Sequence, residues 1–577
     1  MTTSSTRDRR HPGNGARSGN TATREENALK SSASTDATEH VGGPTRLPAW
    51  SALAECAARL AETRTDTLFR ADPQRFERHL LRHEDILVDL SKQRIDATAR
   101  DALLSLAREA RVADAIEALF AGEMLNFTEG RAALHMALRG SCAIPPADAA
   151  TLADSDRRMH AFARALRDGQ VRGALGDPIR RVINLGIGGS DLGPRMLCQA
   201  LRPAADTHAP AVDFVANIDP RELDDALAHA DPRSTLFIVS SKSFTTLETL
   251  ANARAARAWL HAALGEGTTL APHFVAVSGD TQAAAQFGIT RERIFTVPDW
   301  VGGRFSSWSA IGLPVLVAIG EHAFDALFAG ARSMDTHFRE AAPADNLPLA
   351  MALAGIWNDA FLGCESLAVL PYAHGLRALP AWLQQLEMES NGKRCRRDGQ
   401  PVEANTAPIV FGHEGTVGQH AFHQLLYQGT RRIAADFIVP VGGRDERQRN
   451  LVENALAQSA ALMQGLSDEG ARALLREAGH SPQEVERLAP HLVCPGNLPS
   501  TTVLLPALTP RALGQLMALY EHKVFVQGWI WSIDSFDQYG VELGKRMARR
   551  IAEPGHRPSH PATAALLQAV EAMRDAN

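Results

Sequence analysis

A chain of 577 residues, 45% hydrophobic and 22% charged, has an ordinary globular composition and is longer than one hydrophobic core usually supports. Its formal net charge of −6, with basic residues scattered apart from "KRCRR" at 393–397, gives no ground for expecting nucleic acid or an anionic membrane as a partner. Six cysteines lie far apart without a CxxC pair, which excludes a zinc knuckle or dithiol motif and fits a reduced, cytoplasmic protein.

Residues 1–45 are rich in Ser, Thr, Gly and Arg and nearly free of large apolar side chains. Such a stretch cannot offset its ordering entropy by burial, so a disordered extension is expected. Glu25, Glu26, Asp36 and Glu39 argue against an organelle transit peptide, and the apolar core of a secretory signal is missing. No apolar run in the chain nears the roughly 18 residues of a membrane-spanning helix.

The amphipathic run "LPAWSALAECAARLAE" opens a mainly helical region that continues to about residue 170. Between 181 and 277 the pattern becomes strands, "RVINLG", "AVDFVA", "TLFIVS" and "HFVAVS", separated by helices, "DLGPRMLCQAL", "RELDDALAHA" and "TTLETLANARAARAWLHAAL". That alternation implies right-handed βαβ units and a mostly parallel sheet. A second set of strands, "ESLAVLP", "APIVFG" and "AADFIVP", implies a second α/β domain, and from about 508 the chain reads as helical.

Ligands of open parallel sheets sit beyond the carboxyl ends of the strands, and two unusual loops are expected there. "GIGGSDLG" (186–193) runs from a strand into a helix, where free N–H groups suit an anion. It is not a dinucleotide fingerprint, because Asp191 stands where GxGxxG needs glycine. "SSKSFTT" (240–246) delivers Ser240, Ser241, Ser243, Thr245, Thr246 and Lys242 to a second strand-to-helix turn. Helix capping explains one or two of those hydroxyls; five with a lysine among them point to a phosphate cradle. With no GxxxxGK[ST] in the chain, the ligand is expected to be a compact phosphate ester rather than a nucleotide.

Further along, "DWVGGRFSSWSAIGLP" places Arg304 behind two glycines; an always-charged guanidinium suits a developing oxyanion, although the segment alone reads more readily as a surface charge. "LPAWLQQLEMESNGK" (379–393) reads as a helix with an apolar stripe of Leu379, Trp382, Leu383 and Leu386, stopped by a left-handed cap at Asn391-Gly392. Glu387 and Glu389 flank the stripe on opposite sides, and periodicity does not choose between them as a general base; Glu389 has Gln385 one turn back. "GQHAFHQLLYQGT" carries His420 and His423 at helical spacing without the further ligands a metal needs, and "SFDQYGVELGK" offers Gln538 and Lys545 at the start of a C-terminal helix.

Together "GIGGSDLGP", "SKSFTT", "VGGRFSSWSAIGLP", "LEMESNGK", "GQHAFHQLLYQGT" and "SFDQYGVELGK", with "LSKQRID" and "NFTEGRAALHMALR" upstream, resemble the phosphoglucose isomerase family in order and spacing. The resemblance spans about residues 47 to 555. It implies an α/β fold of two SIS-type three-layer αβα sandwich domains with mainly parallel sheets: a helical segment over 46–150, a first, smaller domain over 151–320, a second, larger one over 321–507, and a helical segment over 508–577 that completes the site. It also implies a homodimer with shared active sites, no cofactor and no metal. Its implied reaction is the interconversion of glucose 6-phosphate and fructose 6-phosphate, in glycolysis and gluconeogenesis, through a cis-enediol.

By the same resemblance Ser241, Lys242, Ser243 and Thr246 bind the phosphate with Gly189 and Ser190 nearby, while Gln385 and Gln538 orient hydroxyls. Glu389 moves the proton, Arg304 opposes developing charge, and Lys545 and His420, the latter from the partner subunit, serve ring opening. Ser243, Leu247, Phe411, Val417 and Tyr539 depart from residues common in the family, and none of these changes removes a proton-transfer group. A sugar-phosphate sensor, the rival class, would have no need of Glu389, His420, Arg304 and Lys545 together.

Overall fold

The computed structural model describes residues 42–204, 209–553, 555–556 and 558–576. Residues 1–41 of the expected extension lie outside the described residues; 42–45 lead into a 3-10 turn at Pro44–Arg46, with Gly43 and Pro44 buried.

Among the described residues eleven strands make two sheets: β1 (Leu80–His83), β2 (Ile86–Asp89), β3 (Arg181–Leu185), β4 (Ala211–Val215), β5 (Thr235–Ser240), β6 (Phe274–Ser278), β7 (Ile294–Thr296), β8 (Ser366–Pro371), β9 (Ile409–Gly412), β10 (Ile433–Pro440) and β11 (Ser500–Leu505). One sheet runs β4-β3-β5-β6-β7 and is parallel throughout. The other runs β1-β2-β11-β10-β8-β9, parallel except where the β1–β2 hairpin joins antiparallel at β11.

Helices cover both faces, so central strands are buried on both sides; all six residues of β5 are buried, four of them apolar. The two-residue period sorts their side chains. Ile183, Leu185, Phe237, Val239 and Phe274 pack with Leu223 of helix Pro220–Leu227 and Ala253 of helix Leu247–Leu264. Val182, Leu236, Ile238, Val275 and Val277 turn the other way, into a larger core that Val369, Ile438 and Val503 of the second sheet also enter. The helix Pro510–Ile530 belongs to that shared core, and every residue from Ala512 to Ile530 in it is buried. Among the described residues no helix is long and apolar enough to cross a membrane.

The strands expected from β3 to β6 and from β8 to β10 are present. The β1–β2 hairpin, β7 and β11 were not signalled by the residue pattern. The hairpin turns at Glu84-Asp85 with Glu84 at φ 48, a left-handed position that glycine or asparagine usually marks. β11, "STTVLL", spends three positions on hydroxyls, all buried, and β7 is only three residues long.

Strand order positions the site. Each sheet reverses direction once, between β3 and β5 and between β8 and β10, and a parallel sheet opens a crevice at such a reversal. The loops singled out above follow β3 and β5 and therefore flank the first crevice.

Beside that crevice lies a buried ionic cluster. Arg139 Nε and Nη2 donate to Asp335 and Nη1 to Glu521, each at 2.6 Å. His522 Nε2 lies 2.6 Å from Asp335, and Trp308 Nε1 donates to Glu521 at 2.7 Å. Burial alone would raise the Asp335 carboxyl, but Arg139 and His522 hold it below its ordinary value. Arg139→Leu strands two buried carboxylates and is expected to lower unfolding free energy by about 3–5 kcal/mol in urea titration; a loss below about 1 kcal/mol contradicts a cluster held by that guanidinium.

Candidate active site

The crevice at the β3–β5 reversal is a cleft of about 430 Å³ lined by Gly189, Ser190, Ser240, Ser241, Lys242, Ser243, Thr246 and Gln538, among others. Asn184, at the end of β3, ties its two loops together: its amide donates to Ser190 O at 3.0 Å and its Oδ1 accepts from Ser240 Oγ at 2.7 Å. Ser240 is thus turned inward. The hydroxyls of Ser241 and Thr246 pair at 3.0 Å, and those of Ser243 and Thr245 at 2.7 Å. Thr246 occupies the N-cap of helix Leu247–Leu264 without capping it by its side chain, so the first N–H groups of that helix keep their capacity for an anion. Capping, the bland account of these hydroxyls, does not describe them.

Phe244 fixes the loop. It adopts φ 51, a conformation costly for a bulky residue, and its ring is buried edge-on to Phe287 at 5.9 Å. Lys242 Nζ donates to Asp299 O at 2.8 Å and Val301 O at 3.0 Å. Burial lowers its affinity for the proton, and Asp299 partly restores it.

Arg304, between Gly303 and Phe305 of the cleft wall, is 2% exposed and not a surface charge. Its Nε donates to Ser390 Oγ at 2.6 Å, Nη1 to Gln538 Oε1 at 3.0 Å, and Nη2 to Ser535 O at 2.5 Å and Asp537 O at 3.1 Å. Nη1 also lies 3.4 Å from Glu389 Oε1, while Gln385 Nε2 donates to Glu389 Oε2 at 2.8 Å. Burial pulls the guanidinium below its ordinary value, and Glu389 and Asp537 oppose that shift.

Glu387 and Glu389, left unresolved by periodicity, now differ sharply. Glu387 is buried against Lys523 at 2.7 Å, whereas Glu389 is part-exposed beside Arg304. The expected left-handed cap is a misreading. Neither Asn391 nor Gly392 has positive φ; Asn391 is buried, donating to Val524 O at 3.0 Å and accepting from Ser535 Oγ at 2.7 Å. Lys393 ends the helix instead, its Nζ donating to Glu389 O at 3.1 Å, Ser390 O at 2.8 Å, and Asp534 O and Asp537 O at 2.9 Å each. The "KRCRR" run is therefore folded inward at both ends: Arg397 lies over the Trp529 ring at 3.9 Å.

Two expected residues stay outside this group within one protomer. His420 is exposed in the 3-10 turn Gly418–His420, separate from helix His423–Gln428, where His423 is buried against Gln458. Lys545 is exposed on helix Tyr539–Ala552, paired with Glu542 at 2.8 Å. That helix has Gln538 as its N-cap and buries none of its own residues. Conversely, the cleft has walls that residue reasoning did not assign: Asn126, Glu129, Arg131, His135, Asp299, Trp300, Phe305 and Phe536. The signal for the first four was "NFTEGRAALHMALR", a charged turn inside an apolar run, bridged between Asn126 and Arg131; Asp299, Trp300 and Phe305 lie in "DWVGGRFSSWSAIGLP" and Phe536 in "SFDQYGVELGK". Burial, then Arg139, hold the His135 imidazole well below its ordinary value, and it stacks on Phe305 at 4.5 Å.

A sequence model described as phosphoglucose isomerase matches residues 89–565. The chain belongs to the phosphoglucose isomerase family. It is 64% identical over 538 residues to the glucose-6-phosphate isomerase of Aromatoleum aromaticum, covering 93% of this chain and 99% of that protein. It is 48% identical over 514 residues to that of Dechloromonas aromatica, covering 88% and 95%. Among solved structures, a glucose-6-phosphate isomerase from Chlamydia trachomatis superposes with TM-score 0.78 at 30% identity, covering 92% of this chain and 100% of that one.

In this member of the phosphoglucose isomerase family, Gly189 is where the β3 loop touches the turn that carries Arg304. A Cβ there would lie 1.8 Å from Gly303 O and 2.9 Å from Arg304 N. Gly189→Ala must push the β3 loop off the Arg304 turn, and a displacement of that size is expected to weaken the affinity for glucose 6-phosphate by at least ~10-fold in titration calorimetry. An unchanged affinity contradicts this close contact.

Proposed function

We propose that the chain interconverts D-glucose 6-phosphate and D-fructose 6-phosphate, an aldose–ketose isomerisation, and that it does so as a cytoplasmic homodimer. The observation that carries the reading is the bridge across the cleft: Gln538 lines the same space as Ser241, Lys242, Ser243 and Thr246, and through Arg304 it is linked to Glu389.

In this reading the phosphate rests on the β5 loop, held by the hydroxyls, the helix N–H groups and Lys242. Gly189 and Ser190 close the wall beside it. Glu389 removes the C2 proton of the opened aldose and returns it at C1. Arg304, unable to shed its own proton, opposes the charge on the enediol oxygens. Gln385 steadies the carboxylate and, with Gln538, orients hydroxyls. A base and a fixed cation suffice for such a transfer, so no cofactor or metal is invoked.

Ring opening falls to His420 and Lys545. His420 is supplied by a second copy of the chain, which makes the site an assembly product. Lys545 stands seven residues beyond Gln538, about 10 Å along the helix, so settling of that helix on the cleft delivers its amine.

The test is formation of fructose 6-phosphate from glucose 6-phosphate by the purified chain with EDTA present. Activity unaffected by the chelator is expected; its loss contradicts the metal-free reading, and inactivity without chelator contradicts the function. Glu389→Gln is expected to lower kcat at least ~10²-fold while KM stays within about tenfold; near-normal turnover removes Glu389 from its role.

A further inference from the structure

The helix that carries Glu389 changes to π geometry at Gln384–Glu389, and a second π segment, Trp357–Phe361, lies behind it. Such turns hold an extra residue against the α preference and occur mostly where function needs it. Both segments face one buried polar cluster. Glu387, 2% exposed, accepts from Lys523 Nζ at 2.7 Å, and Lys523 also donates to Gln527 Oε1 at 2.9 Å. Lys523 and Gln527 come from the central helix Pro510–Ile530. With Asn358 and Asp436 they line a space of about 20 Å³. Burial, and then Glu387, push the Asp359 carboxyl up to about 7.

Packing keeps this arrangement tight. A Cβ on Gly355, two residues before Trp357, would lie 2.5 Å from Gln527 Nε2 and 3.8 Å from Lys523 Cε. Glu387 Oε1, Asn358 Oδ1 and Gln527 Nε2 are buried without a hydrogen-bond partner among the described residues. A sealed ion pair with polar atoms left over is a poor source of stability, since well-packed apolar side chains commonly do as well or better. What the pair does fix is direction. Glu387 is anchored to the central helix, and two residues on, in the same turn, Glu389 reaches Arg304 at 3.4 Å. Relaxation to an α-turn would shift the following residues by one position, a swing of roughly 100°.

We propose that the buried Lys523–Glu387 pair is a positioning device for Glu389, holding the π-turn in the register that aims this carboxylate at Arg304 and the cleft. The proposal rests on the reading of Glu389 as the base. Neither Lys523 nor Glu387 touches the substrate; both act through the backbone of the turn.

The experiment compares kcat and KM for glucose 6-phosphate, and Tm, in wild type, Lys523→Met, the double variant Lys523→Met/Glu387→Met, and Glu387→Gln. The single Lys523→Met is expected to lose both Tm and turnover, because it leaves a buried carboxylate alone. The double variant is expected to recover Tm but not turnover, with kcat at least ~10-fold below wild type and KM within about threefold. Glu387→Gln keeps the shape and loses the charge; kcat is expected to fall about tenfold with KM steady, and it decides the matter if the double variant does not fold. Turnover that returns together with Tm, or a Glu387→Gln enzyme within about twofold of wild type, overturns the proposal. Glu389→Gln is run alongside: if it is fully active the reading of the base fails, whereas if it is inactive the outcome bears on the pair alone.

Discussion

One guanidinium without access to bulk water holds this site together. Burying an arginine costs several kcal/mol unless its donors are met, and Arg304 meets them with Ser390, Gln538, Ser535 O and Asp537 O. Those acceptors come from two stretches distant in sequence from the turn at Gly303–Trp308 and from each other. The cation therefore joins the glycine turn, the end of the Glu389 helix and the start of the C-terminal helix at one point. Lys393 repeats the device one turn away by gathering four carbonyls from the helix end and the 534–537 loop.

The rest of the fold serves to keep that junction beside the loop that follows β5. Strand order opens a crevice between β3 and β5, Asn184 ties the two loops at its mouth, and Gly189 lets the β3 loop press against the Arg304 turn. Behind them, both sheets share one apolar core with the fully buried helix Pro510–Ile530 inside it. That helix also carries Glu521 and Lys523, so the ionic clusters behind Trp308 and behind Glu389 are mounted on a single rigid element.

Much of this was legible in the residues. Strands β3 to β6 and β8 to β10 announce themselves because buried parallel strands are apolar runs between helical stretches. The "SSKSFTT" loop stands out because its hydroxyls exceed what capping needs. Legibility ended where tertiary contacts override local signals. The Asn391-Gly392 pair looks like a left-handed cap, yet a lysine from the next turn ends the helix. Arg304 looks like a surface charge, since nothing nearby in sequence shows that acceptors over 230 residues away bury it. Glu387 and Glu389 are equivalent by periodicity and separate only through Lys523, on a helix far along the chain. His420 and Lys545 were named through family likeness, and a single protomer leaves both outside the cleft.

The most direct test of the central role given to Arg304 is the steady-state kinetics of Arg304→Lys, which keeps the charge and removes the fork that holds Glu389, Gln538 and the 535–537 carbonyls. The account predicts a fall in kcat of at least ~10²-fold with KM changed much less. Turnover within a few-fold of the unaltered enzyme would contradict it, because a point charge alone would then be enough.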